Sequence, residues 1–375
     1  MGYSASVIPS WNEFGLEFTG QASVPGFCAA AELAPLPGFE TASAVVRNDD
    51  GIVAAASPVF RTAYRLETSL PSKLRPSIAL IERLLPRAVT VPLLGLGSPA
   101  MDRSAVGFRP GTSTSERAQL FSKLLDALEA EAQRTGVPLI ALKDFGATER
   151  CWADLVLRSR RYARMASLPI AVLDLPFSSV DDYLETLSSS ERRSLRRKLR
   201  PSPSVRFTEC SSVVGVADEI AELYAATRAN GKATYSQFDA ISPHYVHHIL
   251  QGAKGGAKLL LGWVDNVLAS FALILVSPNR VYAHQIGMRY PLARENNLYF
   301  LNWIKVIDFC LEHKIPQLDF GQTSYPLKLR LGCRLEPSWI FVRHRTPSIN
   351  AALAYIAPKF GFDPMESREA QERSG

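Results

Sequence analysis

The chain has 375 residues, of which 47% are hydrophobic, and carries a formal net charge of +6 at pH 7. This length favours two domains of ordinary size, and the apolar content is enough for each to bury a core. No stretch of about 18 uncharged apolar residues occurs, and the N-terminus lacks a basic region followed by an apolar one. The sequence therefore predicts neither a membrane span nor a secretory signal, and we expect a cytoplasmic protein.

The five cysteines are scattered along the chain, form no C-x-x-C pair and are odd in number. This pattern argues against both a disulfide framework and a zinc site. His244 and His248 have helical i, i+4 spacing, but no glutamate-containing zinc motif accompanies them. We therefore predict no metal site.

The positive charge is concentrated in one segment, SSSERRSLRRKLR. Its six cations are Arg192, Arg193, Arg196, Arg197, Lys198 and Arg200, as many as the whole surplus. Ser188 and Glu191 have the spacing of a capping box, so a helix is predicted to begin there and to end at Pro201. The helix is either simply solvated or binds an anionic partner: coenzyme A, an acyl-carrier prosthetic group, tRNA or an anionic membrane face. DNA is not among the expected partners.

The first half begins with a segment to about Gly38 that has little pattern. Apolar runs then flank Asp49-Asp50-Gly51, which predicts a hairpin. Residues 64 to 98 are predicted to cover one side of a sheet and to include a strand in VTVPLLGLG. A helix from Ser113 to Arg134 follows, and the strand PLIALKDFG ends this unit.

The second half is predicted to contain a hairpin followed by strand, helix, strand, helix and strand. The predicted ranges are Ala257–Val276, Val281–Tyr290, Leu298–His313, Ile315–Gly321, Tyr325–Leu331 and Leu335–Arg345. Asp319 stands at the carboxyl end of a short buried strand. Open α/β sheets place their chemistry at such ends.

The two halves share a feature. The strand that ends in Asp144-Phe145-Gly146 and the strand that ends in Asp319-Phe320-Gly321 are each followed by a helix and a strand. We interpret this as an internal duplication; the alternative is that two unrelated units share a common strand ending by chance. The predicted domains are residues 1–176, residues 177–348 and a C-terminal tail of residues 349–375.

The segments LDFG, YPLK and LRLGC, in this element order, resemble the second half of the GNAT acyltransferase fold. The resemblance is to the tandem branch with cellulose-biosynthesis-type acetyltransferases and Fem-type peptidyltransferases, where D-x-G is followed by Y-x-x-K and a glycine. The matching residues are Asp319, Gly321, Tyr325, Lys328 and Gly332. The resemblance implies an α/β (α+β) fold of two tandem GNAT-like units, with mixed, mostly antiparallel sheets flanked by helices. It also implies that the second unit carries the active site.

Acyl transfer to an amine needs a base and a group that stabilises the oxyanion. We predict Asp319 or His284 as the base, Lys328 as an oxyanion or phosphate contact and Tyr325 as a proton donor. The structural alternatives are a turn cap for Asp319, a packed histidine, and a helix-surface pair of Tyr325 and Lys328. Gln285 and Gln322 are predicted to contact the substrate.

The donor loop of the resembled fold corresponds to MRYPLARENN, which lacks the glycines that let backbone amides approach a pyrophosphate. Side chains are therefore predicted to contact the donor. These residues are Arg289, Tyr290, Arg294, Asn296, Asn297, Arg196 and Arg197.

The function predicted on this basis is N-acyl transfer from acyl-CoA or an acyl-carrier protein to an amine of a small metabolite, amino sugar or peptide. Acyl-CoA is then a co-substrate, with no tightly bound cofactor, and polysaccharide or peptidoglycan biosynthesis is the expected context. One alternative is a Fem-type peptidyltransferase that uses aminoacyl-tRNA. The other is a non-catalytic envelope protein that contacts a membrane peripherally through the arginine-rich helix.

Overall fold

The computed structural model describes residues 2–11, 14–65, 90–200, 204–230, 238 and 243–359. Most of the predicted covering segment, residues 64 to 98, and most of the predicted tail, residues 349–375, lie outside these ranges. The strand predicted in VTVPLLGLG is described and is confirmed as Thr90–Leu96.

The strands of the described residues, in chain order, are Tyr3–Ile8 (β1), Phe39–Asn48 (β2), Val53–Arg65 (β3), Thr90–Leu96 (β4), Gly107–Phe108 (β5), Leu139–Phe145 (β6), Ala163–Ala166 (β7), Ile170–Asp174 (β8), Val205–Cys210 (β9), Ala257–Val264 (β10), Val267–Ser277 (β11), Arg280–Met288 (β12), Gln317–Asp319 (β13), Arg334–Glu336 (β14) and Trp339–His344 (β15). The α-helices of the described residues are Phe27–Leu33 (α1), Thr114–Arg134 (α2), Ala147–Ser159 (α3), Val180–Thr186 (α4), Ser189–Lys198 (α5), Ala217–Asn230 (α6), Pro243–Gly252 (α7), Leu292–Glu295 (α8), Leu298–Glu312 (α9), Tyr325–Arg330 (α10) and Pro347–Ile356 (α11). Short 3₁₀ turns span Gly20–Ser23 and Ala357–Lys359.

The strands form two sheets with the same pattern. The first has the order β1-β2-β3-β4-β6-β15-β7, with β5 paired to β3, and the second has the order β9-β10-β11-β12-β13-β8-β14. Each begins with four antiparallel strands, continues with a fifth strand parallel to the fourth, and ends with two further antiparallel strands. This correspondence confirms the predicted fold class of two tandem GNAT-like units.

The two sheets exchange strands. β15, from the end of the described chain, lies between β6 and β7 of the first sheet, whereas β8 lies between β13 and β14 of the second. Each half therefore completes the hydrogen bonding of the other half's sheet. The predicted domain boundaries at 176 and 348 stay predictions, and the exchange means that any linear boundary separates strands from the sheets they complete.

The single strand predicted over Leu335–Arg345 is wrong, because the segment contains two strands in different sheets. β14 pairs with β8 in the second sheet, and β15 pairs with β6 and β7 in the first. Pro337 separates them, and proline has no backbone N–H to continue a ladder. The first 38 residues also form more structure than their weak pattern indicated, including β1 and α1.

Helices cover the sheets as the periodicity predicts. α2 begins at Ser113, whose Oγ accepts the N–H of Glu116 at 3.3 Å, and its predicted apolar face is buried against the first sheet. On the second sheet, α9 buries Trp303 and Ile307, and the Trp303 ring stacks on Phe320 with centroids 3.4 Å apart. Along the described ranges, no helix has both the length and the apolar character needed to cross a bilayer.

The two halves also meet through α1 and α7. A Cβ on Gly26 would lie 1.9 Å from the carbonyl oxygen of Gly252. A Cβ on Gly252 would lie 2.5 Å from the Cβ of Ala30. Only glycine permits this approach of the backbones. As a result Phe27 of the first half packs edge-on against His284 of β12, with ring centroids 5.5 Å apart.

Candidate active site

The candidate site lies where β12 and β13 separate. These parallel strands pair only at Val281–Leu318 and Tyr282–Asp319. The register between β11 and β12 shifts at His284, which is the extra residue of a β-bulge. A bulge bends its strand, and beyond Asp319 the chain instead bonds to β8, where the N–H of Phe320 donates to the carbonyl of Ala171 at 2.8 Å. An opening therefore forms at the carboxyl ends of these strands.

His284 lies at this opening, partly buried. Its Nε2 is 2.8 Å from the hydroxyl of Tyr245 on α7. Burial lowers the pKa of His284 to about 4, so the imidazole is neutral at pH 7. The ring is thus a hydrogen-bond partner of Tyr245 and a weak proton acceptor, and its role as the catalytic base stays a prediction.

Asp319 is 2% exposed, and both of its carboxylate oxygens have partners. Oδ2 accepts the Nε–H of Arg103 at 2.8 Å, and Oδ1 accepts the N–H of Gly321 at 2.8 Å. The carboxylate therefore holds the turn after β13 and anchors a residue of the first half. This geometry favours a role for Asp319 in positioning the turn and Arg103. Its role as a base stays a prediction.

Arg103 also binds a second carboxylate. Its Nη2 is 2.6 Å from Glu336 of β14, and Arg280 of β12 lies 3.3 Å from Glu336 and 3.8 Å from Asp319. Burial alone would raise the pKa of Glu336, but the two arginines lower it to about 2. This cluster ties the loop after β4 to three strands of the second sheet.

Lys328 and Tyr325 project from α10 into the protein interior, each 5% exposed. The Nζ of Lys328 donates to the carbonyl oxygens of Phe320, Gly321 and Gln322, at 2.6, 3.3 and 2.9 Å. Burial lowers the pKa of Lys328 to about 8. The hydroxyl of Tyr325 donates to the carbonyl of Pro169 at 2.8 Å. The pair is therefore buried, in contrast to the alternative of a helix-surface pair, and it secures the turn after β13.

The two glutamines predicted to contact substrate differ in their surroundings. Gln322 donates from Nε2 to the carbonyl of Leu168 at 3.0 Å. Gln285 follows the bulge directly and is 9% exposed, yet neither its Nε2 nor its Oε1 has a hydrogen-bond partner among the described residues. Buried amides are normally paired. Gln285 therefore has unused hydrogen-bonding capacity beside the opening.

Asp102 is a site residue that sequence reasoning missed. Its half-buried carboxylate forms no hydrogen bond or ion pair with any residue that the structure describes, and a Cβ on Gly321 would lie 3.2 Å from its Oδ2. Burial is the largest cause that raises the pKa of Asp102 to about 6; Asp144 and Asp319 raise it further, against Lys143 and Lys328. No motif marks it, because it stands in an irregular loop of the first half.

Asp144, the first-half counterpart of Asp319, is also engaged. It is 3% exposed, forms an ion pair with Lys143 and accepts the hydroxyl of Ser167 at 2.8 Å. Asp144 at the end of β6 and Asp319 at the end of β13 thus both lie near Asp102. Of these three carboxylates, Asp102 is the one that has no hydrogen bond or ion pair in the described chain.

The donor loop is closed by its own hydrogen bonds. The backbone amides of its second part all donate to carbonyls within the loop: Ala293, Arg294, Glu295, Asn296 and Asn297. They are therefore not free to surround a pyrophosphate in the way that glycine-rich loops do. Any phosphate here would depend on side chains.

The predicted donor residues form two groups. Arg289 lies 3.4 Å from Glu222 of α6, and Arg294 donates to Asn230 at 2.7 Å and lies over the ring of Tyr290. The side chain of Asn296 donates to the carbonyl of Leu292 at 3.1 Å. Asn297 precedes α9 in the left-handed region without a side-chain cap.

The second group is the arginine-rich helix, confirmed as α5 and capped by Ser188. Arg196 is 2.7 Å from Glu185, whereas the exposed Arg197 has no acidic partner in the part of the chain that the structure describes. The Nζ of Lys198 lies 3.7 Å from the ring centroid of Phe300, in the first turn of α9. Cations of α5 thus stand beside the start of α9, where the helix dipole also attracts anions.

No group of three or more histidine, cysteine, aspartate or glutamate side chains in the described ranges is arranged to hold a metal ion.

Comparison with known proteins bears on this arrangement. Residues 189–329 match the family model of the acetyltransferase (GNAT) domain. FemX shares 12% identity with a TM-score of 0.57, over 88% of this chain and 93% of that chain. The C-terminal DUF2156 domain of an Agrobacterium fabrum protein assigned as a lysylphosphatidylglycerol synthetase shares 14% identity with a TM-score of 0.55, over 90% of this chain and 91% of that chain. No curated protein matches the sequence.

The paired sheets, the separation of β12 from β13 and the family match define a tandem GNAT-like protein. Residues 189–329 match the GNAT acetyltransferase domain, and this match supports an acyltransferase. The solved structures, at 12% and 14% identity, establish the fold alone.

Proposed function

We propose that this protein is an N-acyltransferase that moves an acyl group from a thioester to an amine of a small metabolite, amino sugar or peptide. One observation carries the proposal: β12 and β13 separate after two paired positions, beside the unpaired carboxylate of Asp102. The carboxylate of Asp102 lies beside the turn that follows the separated strand, where it can act as a proton acceptor.

In the proposed reaction the amine nitrogen attacks the thioester carbonyl carbon, a C–N bond forms and the C–S bond breaks. The amine loses one proton to Asp102, and the departing thiolate takes up one proton, so that amide and thiol are the products. A carboxylate whose pKa is about 6 is ionised at neutral pH and still basic enough to accept the proton. His284, with a pKa of about 4, is less suited.

The predicted catalytic residues take supporting roles in this proposal. Lys328 holds the carbonyls of residues 320 to 322, and Asp319 holds the amide of Gly321. Together they fix the turn against which Asp102 lies. Gln285, with its unpaired amide, is proposed to hydrogen-bond the acceptor or the acyl group.

The donor proposed is acyl-CoA or an acyl-carrier protein, bound as a co-substrate. Because the loop amides are internally bonded, its phosphates would be held by side chains, with Arg196, Arg197 and Lys198 as the candidates. Cationic side chains bind phosphate through charge-assisted hydrogen bonds. The cytoplasmic location expected from the sequence fits such donors and stays a prediction.

A second candidate is Fem-type transfer from aminoacyl-tRNA. The closed donor loop favours it, since a tRNA needs no amide cradle for a pyrophosphate. The exposed arginines of α5, including Arg193 and Arg197, suit contacts with a nucleic-acid backbone.

The test is to incubate the purified protein with a panel of acyl-CoAs and amines and to measure release of free thiol. We expect thiol release that requires the amine and that falls at least about 100-fold in Asp102→Asn. Activity only with aminoacyl-tRNA would replace the first candidate by the second. No transfer from either donor would overturn the proposal.

A further inference from the structure

A second cavity lies at the opposite end of β6 from the candidate site. Its volume is about 400 Å³, which is within the usual range for small-molecule sites. Leu139, at this end of β6, pairs with His344 of β15, whereas Asp144 lies five residues further along the strand. Five residues of a β-strand span about 17 Å. The cavity is therefore separate from the opening beside Asp102.

The lining of this cavity is rich in cations. The chain after α3 contributes Arg160, Arg161 and Tyr162, the end of β15 and the residue after it contribute Arg343, His344 and Arg345, and α11 contributes Pro347, Asn350, Ala351 and Ala354. None of these lining residues is acidic. We call this site the arginine cavity, because four arginines from two separate segments of the chain surround one space.

Two of the four arginines are neutralised and two are not. Arg343 lies 2.6 Å from Glu129, and Arg160 lies 3.4 Å from the same carboxylate. Arg161 and Arg345 are exposed and have no acidic partner within the ranges that the structure describes. The arginine cavity thus carries two positive charges that no described carboxylate balances. A bound anion would relieve their mutual repulsion.

His344 adds a polar donor to the cavity. The N–H of Thr346 donates to its Nδ1 at 3.0 Å. Nδ1 is therefore an acceptor, so the proton of the neutral ring lies on Nε2, which is available as a donor. The lining thus combines arginine side chains with an imidazole N–H, a set of groups suited to an anion.

Arg161 occupies a position that favours glycine. Its φ is +58°, and it follows the end of α3, where its N–H donates to the carbonyl of Arg158 at 3.0 Å. The N–H of Tyr162 donates to the carbonyl of Leu157, also at 3.0 Å. Helices commonly end on a left-handed glycine in this arrangement. The backbone gains nothing from an arginine here, so the distinctive contribution of this residue is the side chain that lines the cavity.

The walls of the arginine cavity are held in place by hydrogen bonds. Asn350 is 8% exposed; its Oδ1 accepts the N–H of His344 and its Nδ2 donates to the carbonyl of Arg161, both at 2.9 Å. The N–H of Arg345 donates to the carbonyl of Pro138 at 2.8 Å. The backbone at both unbalanced arginines is thus fixed before any ligand binds, which lowers the entropy cost of binding.

We propose that the arginine cavity binds the phosphate group of a phosphorylated small molecule, such as a sugar phosphate or a mononucleotide. Arg161 and Arg345 bind the phosphate oxygens, because the planar guanidinium presents its N–H groups in a fork that matches them. The organic part of the ligand occupies the rest of the cavity, where the small side chains of Ala351 and Ala354 leave room. A nucleic acid would need a longer stripe of cations than one cavity provides.

The test is isothermal titration calorimetry of the full chain with ribose 5-phosphate and uridine 5′-monophosphate, each compared with unphosphorylated ribose or uridine. We expect binding that requires the phosphate. Arg161→Gly and Arg345→Gln should each weaken it at least about tenfold, because each removes charge-assisted hydrogen bonds. Thermal unfolding should show both variants to be folded, since glycine suits the backbone at position 161 and position 345 is held through its backbone N–H.

The matched control is Arg158→Gln, which removes the same charge from the last turn of α3 at a residue outside the cavity lining. It should retain binding. Ala351→Leu keeps every charge but fills part of the cavity, so it should weaken binding at least about tenfold. An equal loss in Arg158→Gln and Arg161→Gly would overturn the proposal, as would unchanged binding in Ala351→Leu or no binding of either phosphorylated ligand.

Two further ligands distinguish the sources of the phosphate. Inorganic phosphate should bind at least about tenfold more weakly than the better of the two organic phosphates, because it makes no contact with the rest of the cavity. Equal affinity for the free ion would overturn the assignment to an organic phosphate. Tighter binding of a single-stranded uridine oligonucleotide than of uridine 5′-monophosphate would also overturn it and assign the cations to nucleic acid. These measurements do not depend on transferase activity.

Discussion

The Nε of Arg103 donates to Oδ2 of Asp319 over 2.8 Å, although the two residues are 216 positions apart in sequence. Arg103 belongs to the loop that follows β4 of the first sheet, and Asp319 ends β13 of the second. The residue before Arg103 is Asp102. The ion pair therefore sets the position of a first-half carboxylate against the separated strands of the second half.

The first prediction concerns this pair. Arg103→Ala should lower the free energy of unfolding by about 3 kcal/mol, because it leaves a buried carboxylate without its main partner. The side chains are 16% and 2% exposed, so water cannot replace the arginine well. Urea denaturation measures the change. Arg61→Ala, which removes an exposed pair with Glu40, is the control and should change stability by less than about 1 kcal/mol.

The second prediction concerns Asp102 and pH. The folded-state pKa of about 6 is above the ordinary value of 3.8, so the folded protein holds more protons than the unfolded chain between these pH values. Stability should therefore fall as pH rises through this window, and Asp102→Asn should remove that fall. Stability that is independent of Asp102 over this range would contradict the assignment.

If Asp102 is also the base, transferase activity should increase with pH through about 6. The rate is then limited on the acid side by the fraction of ionised carboxylate. Asp102→Asn should abolish this limb of the pH–rate profile, measured as initial rates of thiol release. A profile with the same acid limb in the variant would assign proton acceptance to another group.

The third prediction concerns Lys328. Lys328→Met should lower the free energy of unfolding by about 3 kcal/mol, because three hydrogen bonds to carbonyls of the turn are lost at about 1 kcal/mol each. Lys305→Met is the control, since Lys305 is 47% exposed and its pair with Asp308 on α9 contributes about 0.5 kcal/mol. Equal effects of the two substitutions would show that water replaces the ammonium.

The fourth prediction concerns the contact between α1 and α7. Gly252→Ala should destabilise the protein by about 1–3 kcal/mol, because the added methyl would lie 2.5 Å from the Cβ of Ala30. Adding Ala30→Gly should restore part of that loss by removing the opposing methyl group. A double variant whose stability change equals the sum of the single changes would mean that the two positions do not interact.

Much of the second half could be predicted from local pattern. The order of β12, α9, β13 and α10 follows from period-2 and period-3.6 apolar spacing, and Ser188 caps α5 as its spacing indicates. The duplication was visible because the paired Asp-Phe-Gly segments end equivalent strands, β6 and β13. These features depend on neighbours in sequence, which share one helix turn or one strand.

The site itself depended on contacts that no local pattern encodes. Asp102 belongs to no motif. The donor loop is closed by hydrogen bonds of its backbone amides, which do not depend on side-chain type. The sequences of β8 and β15 do not indicate which sheet each strand completes. Asp319 was singled out by its predicted place at a strand end, and its catalytic role stays a prediction. Its ion pair with Arg103 could not be predicted from the sequence, because the two residues are 216 positions apart and only the folded chain brings their charges together.

Side-chain periodicity, turn residues and charge clustering were sufficient to predict the order of the elements and the arginine-rich helix, since each reflects interactions over a few residues. The tandem GNAT-like fold class came from the resemblance of the LDFG, YPLK and LRLGC segments. The exchange of β8 and β15 and the unpaired state of Asp102 were decided only when the two halves packed together. Whether a charged side chain is buried, and whether it has an ion-pair partner, depends on the packed core. There the cost of desolvation favours pairing of buried charges.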